Sequence, residues 1–159
     1  MKKTTITQKG FTLIELIIVM VILGIMAAVA VPRYLDSIEN AEASAEDAVI
    51  SAIRGGLKQA ANDSLYTNGR ASWPTNPFDA LSKNAAGEVD LVGYTTDDSR
   101  ADVDGEWTFY SLNANGSDGK RISHQRADNS RFEWIYNKGT QDGDDAGIGS
   151  IGPRVQVAP

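Results

Sequence analysis

One stretch constrains this chain more than any other. From Leu16 to Val31 no side chain is charged or strongly polar, and extending the run back to Phe11 gives 21 residues with a single charge, Glu15. A helix of about 20 apolar residues crosses a hydrocarbon core of roughly 30 Å. A helix in the core of a soluble domain would carry a polar stripe. This one is apolar all round apart from Thr12 and Glu15. The ten residues before it, MKKTTITQKG, hold Lys2, Lys3 and Lys9 and no acid. By the positive-inside rule the N-terminus stays in the cytoplasm and residues 33–159 lie outside.

Composition narrows the functions open to such a chain. Lys and Arg number 15 against 21 Asp and Glu, a net charge of −6. Without the first ten residues, 12 cations face 21 acids, a sum of −9. An acidic surface of this kind excludes nucleic acid as the primary partner, because phosphate binding needs a basic one. There is no cysteine, hence no disulfide, thiol nucleophile or Cys-ligated zinc. His124 is the one histidine and lies in a polar stretch without a nucleophile motif, so we expect no catalytic triad and no enzyme.

Two processing routes fit the N-terminus. An ordinary secretory signal would be cut after Ala28-Val29-Ala30, releasing a soluble secreted domain. Against this, the apolar run exceeds the usual signal core of about 7–15 residues. A glutamate at a membrane centre also costs about 2.5–3.5 kcal/mol on insertion scales. The other route cuts between Gly10 and Phe11 and keeps the apolar helix.

The residues Lys9-Gly10-Phe11-Thr12-Leu13-Ile14-Glu15-Leu16 resemble the prepilin processing motif of bacterial type IV pilins and type II secretion pseudopilins. The likeness continues through Val21–Ile25 and Ala27–Pro32 and is close over about residues 8–60. It implies that a leader, residues 1–10, is removed after Gly10 by a prepilin peptidase, and that Phe11 is N-methylated. It further implies a single-pass inner-membrane precursor, in contact with lipid and with the pilus assembly machinery. The mature chain would then join other copies of itself in an extracellular helical filament.

The chemistry agrees. Gly10 leaves the scissile bond open to a peptidase, and cleavage creates an amine on Phe11. Glu15 lies four residues further on, about 6 Å along a helix. A carboxylate in apolar surroundings needs an opposite charge or it protonates. In a packed filament the natural partner is the Phe11 amine of a neighbouring copy; the alternative is a side chain that snorkels to the headgroups. Gly24 and Pro32 weaken the helix between them. Either they make a tolerated kink or they mark a stretch that unwinds on assembly.

Beyond Pro32 the pattern turns amphipathic. Tyr34, Leu35, Ile38, Ala41, Ala45, Val49, Ile53 and Leu57 recur at helical spacing, which predicts a helix continuing over 33–62. Gly55-Gly56 marks a bend or a close contact. Residues 63–159 form a head. A proline-bracketed connector around Trp73–Leu81 anchors it. Strand signals follow at Val89–Thr95, Glu106–Leu112, Lys120–Arg126 and around Phe132, Trp134 and Tyr136. These predict an antiparallel meander of three or four strands with one face against the helix. Gly139–Pro159 is a Gly- and Asp-rich tail. Its Asp142, Asp144 and Asp145, like Asp102-Val103-Asp104-Gly105-Glu106, have calcium-loop composition without the full pattern, so no cofactor is expected beyond a weak calcium candidate.

The expected fold is α+β and pilin-like: a long N-terminal helix, half transmembrane and half amphipathic, on a small antiparallel sheet. The leading expectation for function is a structural subunit of a type IV pilus. The alternatives are a type II secretion pseudopilin and a secreted soluble domain.

Overall fold

In the computed structural model the described residues are 10–96, 98–111, 120–138 and 149–158. The leader up to Lys9 and the calcium candidates Asp142, Asp144 and Asp145 lie outside them, as does the expected strand's last residue, Leu112. The architecture is α+β, one long helix and one antiparallel sheet. By compactness the chain divides into two units, Met1–Ser44 and Ala45–Pro159.

Helix α1 runs Leu13–Asn68, six residues past the expected end. Its stop is Gly69, at φ +71°, whose N–H donates to the Leu65 carbonyl at 2.9 Å. That is the left-handed helix cap for which glycine is favoured. Asn62, Asp63 and Ser64 are poor helix formers and read as a connector, yet no proline or glycine stops the chain there.

In the first unit the helix buries nothing. Every large apolar side chain from Leu13 to Val31 is at least 46% exposed. The stretch is long and apolar enough to cross a membrane.

The second unit has a closed core. Its part of α1 buries Glu46, Ile50, Ile53, Leu57 and Ala61, one helical face. These meet Trp73, Phe78, Trp107, Ile122, Trp134, Tyr136 and Ile151. Of the expected stripe Ile53 and Leu57 are buried and Val49 half-buried, while Glu46 and Ile50, which the stripe did not include, complete the buried face. The stripe's earlier members Tyr34, Leu35 and Ile38 remain 40–67% exposed. A Cβ on Gly56 would overlap the Ala80 carbonyl, whereas one on Gly55 would meet open space. Gly56 is thus a close contact, and α1 carries on through the pair.

The sheet has five strands: β1 Trp107–Ser111, β2 Lys120–Gln125, β3 Arg131–Asn137, β4 Ser150–Ile151 and β5 Val155–Val157. β1, β2 and β3 are sequential antiparallel neighbours. β4 and β5 share the far edge of β3, opposite Tyr136–Asn137 and Arg131–Glu133. Two strands thus arise from the stretch read as a tail. Conversely, the expected strand at Val89–Thr95 is absent. Only isolated bridges, Lys83 with Val89 and Tyr94 with Trp107, occur there. Gly93 breaks it: its φ is +80° and a Cβ would strike the Gly105 carbonyl.

Cross-strand register puts Trp107, Phe109, Ile122, His124, Phe132, Trp134 and Tyr136 on one face. The opposite face is also covered, and it is polar. Glu133 is buried there, accepting from Tyr110 Oη at 2.6 Å and from Arg121 at 3.1 Å, with Arg100 at 3.0 Å.

Candidate assembly site

Thr12 starts the helix and Glu15 closes its first turn. Glu15 Oε2 accepts from the Thr12 backbone N–H at 2.8 Å and from the Thr12 hydroxyl at 2.7 Å. The Glu15 N–H donates back to Thr12 Oγ1 at 3.3 Å. This is a capping box, in which a Thr and a Glu three residues apart satisfy each other's free donors. The pattern T-x-x-E stands in the sequence at Thr12–Glu15, so Thr12 was legible and is the site residue that sequence reasoning missed. Both Thr12 bonds fall on one carboxylate oxygen; Oε1 has no partner among the described residues.

Around this box the expected processing residues are accessible. Phe11 is 95% exposed, and a side chain on Gly10 would meet nothing. Cleavage there would place the new amine one residue from the Thr12 amide that holds Glu15. Gly24 and Pro32 both lie inside α1, which remains helical through them. Pro32 has no N–H to give, so the Ala28 carbonyl lacks its helical bond.

A second constellation was not legible. Glu46, read as one polar position among many, is 1% exposed. Arg126 binds it through two nitrogens, each at 2.7 Å. Arg154 also donates to Glu46 Oε2 at 3.0 Å, and His124 Nδ1 lies 3.0 Å from Oε1. Burial alone would raise the Glu46 pKa. The Arg126 and His124 hydrogen bonds outweigh it and hold the carboxyl at about 2. His124 also stacks on Trp107, with ring centroids 4.2 Å apart. Its polar partner is thus a carboxylate from α1 rather than a nucleophile. Arg154 lies between β4 and β5, so it ties the C-terminal strands to the helix in a chain that has no disulfide.

The Asp102–Glu106 stretch is a self-capped turn. Glu106 accepts from the backbone N–H of Asp102 at 2.9 Å and of Val103 at 3.3 Å, and from the Thr95 hydroxyl at 2.9 Å. Among the described residues no three potential metal ligands cluster.

Residues 6–31 match the family of the prokaryotic N-terminal methylation motif. The chain is also 41% identical, over 86 residues, to a fimbrial protein of Neisseria meningitidis serogroup A. Over 69 residues it is 45% identical to the type IV major pilin protein PilE1 of Neisseria gonorrhoeae. The N-terminal segment is thus similar to those of type IV pilus and fimbrial proteins. A further relative, the type IV narrow pilus major component PilA5 of Thermus thermophilus, is 54% identical over 46 residues. These pilin matches cover 54%, 43% and 29% of this chain, respectively. They span 45%, 38% and 40% of the relatives' own lengths, less than half of each. No solved structure matches the chain.

Proposed function

We propose that this chain is a structural subunit of a type IV pilus. In this reading a prepilin peptidase removes the leader after Gly10, Phe11 is N-methylated, and the mature chain passes from the inner membrane into an extracellular filament of its own copies. The observation that carries the proposal is the exposed apolar half of α1, capped by a glutamate with one unoccupied oxygen. Side chains from Leu13 to Val31 at least 46% exposed need lipid before assembly and neighbouring helices after it. In the filament Glu15 Oε1 takes the Phe11 amine of a neighbour. That ion pair sets register more than it adds stability, because a buried pair gains little net energy while an unpaired buried charge is costly. The open Ala28 carbonyl and Gly24 supply a stretch where α1 unwinds as copies pack.

Relatives named as fimbrial and pilus components support the reading. Intact mass of the membrane-extracted protein tests it. The expected mass is that of a chain beginning at Phe11 plus one methyl group; a chain beginning at Val31 would contradict it.

A further inference from the structure

We propose that the groove between α1 and β4 seats the Tyr34–Glu39 stretch of α1 from a second copy of this chain. This rests on the filament reading above. The groove has a volume of about 440 Å³, with Leu57 and Ala61 of α1, Ala71, Trp73 and Ile151 forming an apolar lining. Gly149 lies against the Trp73 indole, where any Cβ would collide with the ring. Two exposed cations, Arg54 and Lys58, also line it. Arg54 donates to the carbonyls of Ile151 at 3.2 Å and Gly152 at 3.4 Å, so its charge meets no carboxylate. Lys58 has no partner among the described residues.

The stretch at 34–39 is the complement. Tyr34 is 67% exposed, Leu35 59% and Ile38 40%, though they begin the same amphipathic stripe whose Ile53 and Leu57 are buried. Leu35, Ile38 and Glu39 stand at i, i+3 and i+4, one helical face. Asp36 and Glu39 are exposed and have no partner among the described residues. An apolar ridge flanked by acids therefore matches an apolar groove flanked by bases. Both lie on every copy, so in a filament the ridge of one copy can fill the groove of the next, a heterologous contact that propagates. Complementary charges at the edge of such a contact fix partner and register.

Cysteine pairing in the naturally cysteine-free chain gives the test. Full-length chain carrying Glu39→Cys and Lys58→Cys is assembled, sheared from cells, mildly oxidised and run on a non-reducing gel. A ladder of multimers, absent from either single variant, is expected. Filaments that form but yield only monomer, or a cross-link to a different protein, would overturn the proposal. Should the cysteine pair itself block assembly, charge exchange decides. Lys58→Glu is expected to lower filament recovery about tenfold, and adding Glu39→Lys to restore it. Unchanged recovery in Lys58→Glu, or no restoration, would overturn the contact. Absence of filaments from the unaltered chain would instead overturn the filament reading itself.

Discussion

Two glutamates on one helix meet opposite fates in the two units of this molecule. Glu46 is buried and complete: two guanidiniums and an imidazole surround it within its own chain. Glu15 is exposed and half complete, with one oxygen held by Thr12 and the other open. Their surroundings differ in the same way. The unit from Ala45 onward covers its apolar face with its own sheet, while the unit before it covers none. In the proposed function the two units differ in where the missing contacts are supplied: inside the chain for one, by other copies for the other.

The largest expected effect breaks the self-contained side of that contrast. In a chain beginning at Arg33, Glu46→Ala removes the carboxylate that the buried Arg126 guanidinium grips through two nitrogens. We expect a loss of about 3–5 kcal/mol in urea denaturation. Leu35→Ala in the same chain removes an exposed side chain and is expected to fall within about 0.5 kcal/mol of the parent. Equal losses would mean that the two units are not distinct.

A pH titration sharpens the same point. The Glu46 carboxyl sits at about 2 in the folded chain against an ordinary 4.5. A lowered pKa gives stability that is present above 4.5 and lost as pH falls towards 2. We expect about 3 kcal/mol to disappear across that window, and Glu46→Gln to flatten the curve there. A profile unchanged by Glu46→Gln would show that the cluster carries no linkage.

The smallest effect lies at the other glutamate. Thr12→Ala removes the cap and should cost the first turn of α1 about 0.5–2 kcal/mol, seen as faster amide exchange over residues 13–16 in detergent. Thr12→Ser keeps the hydroxyl and should be silent. Equal exchange in Thr12→Ala would mean that Glu15 is not held by the box.

The same contrast explains what the sequence could show. Gly10, Phe11, Thr12 and Glu15 are neighbours along the chain, so their geometry follows from helical spacing alone. The apolar helix and the aromatic alternation of β3 are also local patterns. Glu46 meets His124, Arg126 and Arg154 across separations of 78, 80 and 108 residues. Nothing near Glu46 in sequence marks it as buried. β4 and β5 are two and three residues long, too short for a period to declare itself, and only β3 organises them. The strand expected at Val89–Thr95 failed for a local reason, since Gly93 turns the chain to meet Gly105.

The central claim is that Glu15 is completed by another copy. Cells making Glu15→Ala or Glu15→Gln should contain processed subunit in the membrane fraction at parental levels, because a lone acid near the N-terminal end of the apolar stretch is not needed for insertion. Surface filaments should fall by about tenfold or more, as expected when a register-setting charge is removed. Glu15→Asp, charged but shorter, should lie between. The decisive measurement is the ratio of sheared filament to processed membrane subunit in Glu15→Ala: a sharp drop is predicted, and a parental ratio would contradict the account by showing that apolar packing alone sets the register.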